Sequence, residues 1–264
     1  MNTTVSETHA DRPENQMEWK ANPDMDYHER QFEDVYRSTV QMCDWLEAKG
    51  KLTPDSQYRI LDIGAGMGSN IDYMAQRFPK CEYVGMDINE HLVRRGQEIL
   101  AERGRTNCVL EVGDIYDIDE YRGQFDVVLS FQTVLVLPEL YLPLKQHAIL
   151  DAEWVALSSH FYDGLVDVEV KVLDHYRPRD DQDTKIRFYN VHSIPRTQDL
   201  FAEYGYTEFD FTPFDIDVDL PKTDYKGMGT HTEKTVDGRR LQVSGPILMP
   251  WHFIFAGRPG AGDR

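Results

Sequence analysis

Residues 57–70, QYRILDIGAGMGSN, decide how this chain is read. Ile60, Leu61 and Ile63 form a short apolar run that predicts a buried strand, and Gly64, Gly66 and Gly68 then alternate before a helical pattern resumes at Ile71. A strand, a tight loop and a helix start follow in order. Three glycines let the backbone turn through positive φ and let a ligand lie against bare main chain. Unpaired N–H groups at the new helix terminus favour a negatively charged group there. The stretch is a candidate ligand cradle.

Working outward, the same rhythm of strand then acid recurs. The helix after the loop should end by Phe78, before Pro79, and Tyr83–Met86 form a second strand closed by Asp87. His91, Leu92, Arg95, Ile99 and Leu100 suit a helix, and residues 108–112 make a third strand ending in Gly113 and Asp114. Residues 125–131 are a fourth, nearly uninterrupted apolar strand, followed by a helix reaching about Ala152. Residues 154–158 would be a fifth strand, with Ser159, His160, Phe161 and Tyr162 at its carboxyl end. Strands alternating with helices imply a mostly parallel sheet buried on both faces, a Rossmann-like doubly wound α/β fold.

The flanks read differently. Residues 1–24 are polar and aperiodic, a mobile arm, and one domain of residues 25–264 follows, its glycine-loop half at about 50–160. From Tyr27 to near Gly50 the spacing predicts one amphipathic helix, with Tyr27, Tyr36 and Arg37 bordering the cradle as part of a lid. Alternating Val168, Val170 and Val172, then Ile186 and Phe188, around the turn-like RPRDDQDT, predict an inserted hairpin over 166–191. Residues 195–204 read as a helix capped by Gly205, and 214–220 as a strand with Asp215, Asp217 and Asp219 on one face. That spacing turns the three aspartates to water and does not predict a metal site. A second hairpin spans Thr230 to Val243 around Asp237 and Gly238, within a 226–245 insertion, and a last strand covers 251–255. Both insertions are natural covers for a pocket.

Composition narrows the class. A net charge of −18 repels phosphate backbones, so no nucleic-acid partner is expected. Cys43, Cys81 and Cys108 are odd in number and without a CxxC pair, which points away from a disulfide framework and towards a reducing, cytoplasmic setting. The one long apolar run, Val127 to Leu144, is interrupted by Gln132, Pro138, Glu139 and Pro143, so no membrane segment is expected.

Acids at successive strand ends converge on one crevice in a doubly wound sheet, and a carboxylate about 20 residues after the glycine loop is placed for a ribose diol. Asp87 fits that position. A dinucleotide fingerprint needs glycine at the sixth loop position, where Ser69 stands, and Asp62 ahead of the loop suits positive charge better than a pyrophosphate. Together LDIGAGMG, YVGMDI, VGDI and FDVVLSF resemble the class I S-adenosylmethionine-dependent methyltransferases over about residues 30–160. The resemblance implies that Asp62, Gly64, Gly66 and Gly68 pack on the methionine part of the cofactor. It also implies that Asp87 binds the ribose with Ile88 on adenine, that Asp114 and Ile115 lie near the adenine amino group, and that Ser130, Phe131 and Gln132 approach the sulfonium.

The resemblance further implies methyl transfer to a small molecule, at oxygen or nitrogen, on a natural product, sugar or amine. His160 and His192 are the candidate bases, because imidazole titrates near neutrality. Tyr36, Tyr162, Tyr189, His231 and Trp251 are the candidate walls of the acceptor pocket. An NAD(P)-dependent oxidoreductase and a non-catalytic cofactor-binding module stand as alternatives.

Overall fold

The computed structural model describes residues 24–175, 185–222, 224 and 226–261. The chain opens with α1 (Met25–Arg30) and α2 (Arg37–Ala48), and the cradle stretch gives β1 (Arg59–Ile63), the glycine loop and α3 (Ser69–Arg77). Then come β2 (Glu82–Asp87), α4 (Glu90–Glu102), β3 (Cys108–Val112), β4 (Val127–Phe131), α5 (Leu142–Ile149) and β5 (Trp154–Tyr162). These strands are parallel neighbours, in the order β3-β2-β1-β4-β5. The order reverses beside β1, so β1 and β4 diverge to leave a crevice at their carboxyl ends.

The remaining elements complete and cover the sheet. They are the β6 (Lys171–Asp174) and β7 (Lys185–Phe188) hairpin, a short β8 (His192–Ser193) beside β5, α6 (Ile194–Glu203) and β9 (Glu208–Pro213). A small antiparallel sheet follows, of β10 (Thr230–Lys234), β11 (Arg240–Ser244) and β12 (Ile247–Leu248), before β13 (Trp251–Gly257). β13 inserts between β5 and β9, antiparallel to both. The sheet separates two apolar layers. Met42, Leu46, Met74, Leu100 and Trp154 pack on the side of α2, α3 and α4, while Leu61, Val128, Leu144, Val155 and Phe201 pack on the side of α5 and α6.

Local chemistry sets the boundaries. Asn89 caps α4 by accepting from the N–H groups of His91 and Leu92 at 3.0 and 3.1 Å, and Ser193 caps α6 through the N–H of Arg196. Both hairpins form where alternation predicts them, although RPRDDQDT at 177–184 lies outside the described residues, as do residues 1–23 of the expected arm.

Three expectations are corrected. The helix over 27–50 is two helices, because Asp24 starts a separate short turn by accepting the Tyr27 N–H at 3.0 Å and the chain bends at 31–36. β5 continues to Tyr162, held by β13 through the pairs Ser159–His252 and His160–Trp251, so His160 lies within a strand. Residues 214–220 are not a strand. Asp217 pairs with Arg37 and Asp219 with Lys234 and Arg240, which draws the segment off the sheet edge, and the edge strand is 208–213 instead.

Candidate active site

The cradle is built at the carboxyl end of β1. Gly64, Gly66 and Gly68 take φ values of 79°, 57° and 86°, a run of left-handed conformations that side chains with a Cβ resist. The N–H groups of Gly64 and Ala65 both reach the Met86 carbonyl, at 2.8 and 3.0 Å, tying the loop to β2. Space also demands glycine at 64, since a Cβ there would lie 2.1 Å from Oγ1 of Thr133.

Asp87 links the loop to the next turn. Its Oδ2 accepts the Gly66 N–H at 2.8 Å and its Oδ1 the Asn89 N–H at 2.9 Å. The carboxylate keeps lone-pair capacity for a ligand hydroxyl. Burial nonetheless pushes this carboxyl above its ordinary range, opposed by the N–H groups of Asn89, Gly66 and Ile88. The β2–β3 register sets Val112 opposite Asp87, and Asp114 follows, its Oδ1 accepting the Tyr116 N–H at 3.0 Å. Ile88 is half-buried and Ile115 buried.

Asp62 is the unusual group. It is completely buried on β1, and neither carboxylate oxygen has a hydrogen-bond partner among the described residues. Burial first, then the nearby charge of Asp87, pushes its carboxyl up to about 8. A buried carboxyl without partners is costly unless a cation or donor comes to it. The site therefore has an electrostatic place for positive charge directly before the glycine loop.

The end of β4 forms the opposite wall. Ser130 is buried and its hydroxyl donates to the Ile63 carbonyl at 2.9 Å, which fastens β4 to β1. Gln132 turns with φ of 61°, unusual for a residue with a side chain, and its Nε2 donates to Ser38 Oγ at 2.8 Å. Strain of this kind at a strand end is typical of a working site.

Above the loop lies α1. A Cβ on Gly66 would meet the His28 ring at 3.3 Å, and Ser69 Oγ donates to Gln31 Oε1 at 3.2 Å. Gln31 in turn donates to the Tyr36 hydroxyl at 3.0 Å, and that hydroxyl pairs with the hydroxyl of Tyr27. Arg95 grips Glu29 at 2.8 Å from α4. Tyr27 and Tyr36 thus belong to the cover, whereas Arg37 turns away to Asp217.

A second cluster sits further along the same face. His160 is fully buried, its ring edge-on to Trp251 at 4.4 Å between centroids and stacked near Tyr189 at 6.4 Å. Both ring nitrogens of His160, Nε1 of Trp251 and Oγ of Ser158 have no hydrogen-bond partner among the described residues. Burial, and then His192 and His252, push His160 down to about 3, so the imidazole is neutral.

The other sequence candidates scatter. His192 packs against Phe161 and Tyr141 in the opposite layer, with Nδ1 3.4 Å from the His160 carbonyl. His231 faces Glu233 at 3.1 Å on β10, and Tyr162 is half exposed beside Gly164. Sequence reasoning missed His28, Ser38 and Thr133. Thr133 and Ser38 carry no motif, but Asp24 before MDYHER was a readable cap for the helix that brings His28. Among the described residues no group of three or more His, Cys, Asp or Glu is placed to hold a metal, and no helix is long and apolar enough to cross a membrane.

Comparison with known proteins agrees with this geometry. A family described as "Methyltransferase domain" matches residues 54–162. Nocamycin O-methyltransferase of Saccharothrix syringae is 34% identical over 92 residues, 34% of this chain and 33% of the relative. Sarcosine/dimethylglycine N-methyltransferase of Halorhodospira halochloris is 29% identical over 120 residues, 45% of this chain and 41% of the relative. The chain thus aligns with only about a third to two fifths of these relatives. The magnesium protoporphyrin IX methyltransferase of Synechocystis, solved with bound S-adenosylmethionine, superposes with a TM-score of 0.55 over 95% of this chain and all of its own, at 15% identity. That likeness is one of fold.

Proposed function

We propose that this protein is a class I S-adenosylmethionine-dependent methyltransferase, a reading supported by the methyltransferase-domain match over residues 54–162, and that it methylates a small molecule at an oxygen or nitrogen atom. The observation that carries the reading is the buried, unpartnered carboxylate of Asp62 at the mouth of a left-handed glycine loop. The donor set fits the cofactor. Asp62 offers its charge to the cationic amino-acid end, Gly64, Gly66 and Gly68 allow close approach, and the remaining lone pairs of Asp87 receive the ribose hydroxyls. Ile88 and Ile115 flank the adenine beside Asp114, and Ser130 and Gln132 border the sulfonium end.

The cofactor supplies a methyl group on a sulfonium, open to in-line displacement by a lone pair of the acceptor. The protein's own contribution is placement and exclusion of water. His160 is neutral and unpartnered among the described residues, so one ring nitrogen can accept a hydrogen bond from an acceptor hydroxyl and aim the oxygen lone pair at the methyl. Burial that pushes the ring to about 3 makes it a weak base, so it orients the acceptor while the hydroxyl proton leaves to solvent after transfer. Tyr189 and Trp251 wall that place, with the hairpin over 166–191 and the segment over 226–245 as its cover. His192, Tyr36, Tyr162 and His231 lie outside this reading of the acceptor contacts.

The names of the two relatives cover both oxygen and nitrogen acceptors. A nicotinamide enzyme is the less favoured reading, because Asp62 would face a pyrophosphate and the antiparallel β13 departs from the 3-2-1-4-5-6 dinucleotide order. Calorimetry with S-adenosylmethionine, S-adenosylhomocysteine and NADH tests the choice. Binding of the first two supports the proposal, and tight binding of NADH alone removes it. Transfer of labelled methyl to a metabolite fraction separates an enzyme from a cofactor-binding module.

A further inference from the structure

The hairpin over the acceptor side carries a cation that nothing so far explains. In the β6–β7 ladder Val172 lies opposite Arg187, and the Tyr189 N–H continues the pairing to the Val170 carbonyl at 3.0 Å. Period-two geometry therefore puts Val170, Val172, Arg187 and Tyr189 on one face. That face is the inner one. Val170 and Val172 pack against the core layer of α2 to α4, and the buried Tyr189 ring stacks near His160.

Arg187 points the same way. Among the described residues its buried Nε has no hydrogen-bond partner, whereas Arg196 pairs with Asp167 at 3.1 Å. Arg187 and Tyr189 both act electrostatically on the Tyr27 hydroxyl, so the guanidinium lies where the α1 cover meets the hairpin. In a chain of net charge −18, an inward arginine whose Nε has no partner among the described residues stands apart from Arg77, Arg95 and Arg103, each of which pairs with a carboxylate. A guanidinium matches a carboxylate through two parallel N–H bonds.

We infer that Arg187 binds a carboxylate of the methyl acceptor, with Tyr27 and Tyr189 beside it, so that the substrate is a small organic acid presented to His160. The inference rests on the methyl-transfer reading above and narrows its substrate class. It also reverses the bias of the surface, because the acidic exterior favours neutral or cationic ligands while the pocket selects an anionic one.

The test uses the full chain. A metabolite extract of the source organism is split on an anion exchanger into retained and unretained pools, and each is offered with labelled S-adenosylmethionine. Methyl acceptance is expected in the retained pool. Arg187→Gln should lower kcat/KM for that acceptor about 10- to 100-fold, the loss of a charge-assisted pair, with Arg187→Lys intermediate. S-adenosylhomocysteine affinity, read by calorimetry, should be unchanged in both, which also shows that they fold. Acceptance confined to the unretained pool, an unaltered kcat/KM in Arg187→Gln, or an equal loss of S-adenosylhomocysteine binding would each overturn the inference while leaving methyl transfer standing. No acceptance in either pool removes the methyl-transfer reading itself, and this inference with it.

Discussion

Replacing Asp62 by asparagine should make the cofactor-free protein more stable and less sensitive to pH, while weakening its grip on the cofactor. The Asp62 carboxyl is completely buried, unpartnered, and raised from 3.8 to about 8 by burial and by Asp87. A raised carboxyl pKa means that folding favours the protonated form, so the associated stability is full below 3.8 and is lost as pH climbs through about 8. Each pH unit inside that window removes up to about 1.4 kcal/mol. Between about pH 5 and about pH 8 the wild-type protein should therefore lose at most about 3–4 kcal/mol at this residue. Asparagine never ionises and keeps the shape. The gap in unfolding free energy between Asp62→Asn and wild type should widen over that interval, appearing as a rise of about 6–15 °C in Tm at the upper end. Urea unfolding and calorimetry at the two pH values measure it. Saturating S-adenosylmethionine should narrow the gap, because it supplies wild-type Asp62 with the missing cation. Parallel stability curves for the two proteins would refute the argument, since Asp62 would then be solvated or paired.

Three further outcomes follow from the geometry. Asp87→Ala should weaken S-adenosylmethionine by about 1–3 kcal/mol in calorimetry, through lost ribose hydrogen bonds and loss of the tie to the Gly66 N–H. Gly64→Ala should destabilise the fold by about 2–4 kcal/mol, combining strain at φ of 79° with a contact 2.1 Å from Thr133 Oγ1. Adding Thr133→Ala should recover the steric part only, and additive losses in the denaturation cycle would contradict the contact. His160→Ala should raise KM for the acceptor about 3- to 10-fold with cofactor affinity intact, through loss of one orienting hydrogen bond, and an unchanged KM would exclude that role.

The cofactor half was legible because its signals are local. A strand, three alternating glycines and a strand-end acid each bring their own geometry, and the structure sets Asp87 against the Gly66 N–H as the sequence order implies. The protonation of Asp62 was not legible, since a burial of this depth depends on β2, β4 and two helical layers arriving from elsewhere. The acceptor side was read in part. Alternating valines predicted the hairpin, and the apolar run predicted β13, but only their pairing shows that His160, Tyr189 and Trp251 share a cluster while His192 lies in the opposite layer. Asp215, Asp217 and Asp219 misled because alternation on paper resembles a strand, whereas ion pairs with Arg37, Lys234 and Arg240 decide where the segment goes. The bend at residues 31–36, and with it the placing of His28 and Gln31 over the loop, is a tertiary outcome that helical spacing alone misses.

The position of β13 has a bearing on biosynthesis. It follows every other described strand in sequence, yet in the sheet it stands between β5 and β9, which precede it by dozens of residues. While a ribosome is still supplying residues 251–257, the nascent chain holds two unpaired strand edges, one of them carrying His160. The cluster around His160 therefore assembles only when β13 slots in, after the parallel strands β1 to β5 are already able to collapse around their core. Loss of those seven residues would leave an aggregation-prone edge beside that cluster, and chaperone demand should stay high until β13 has emerged.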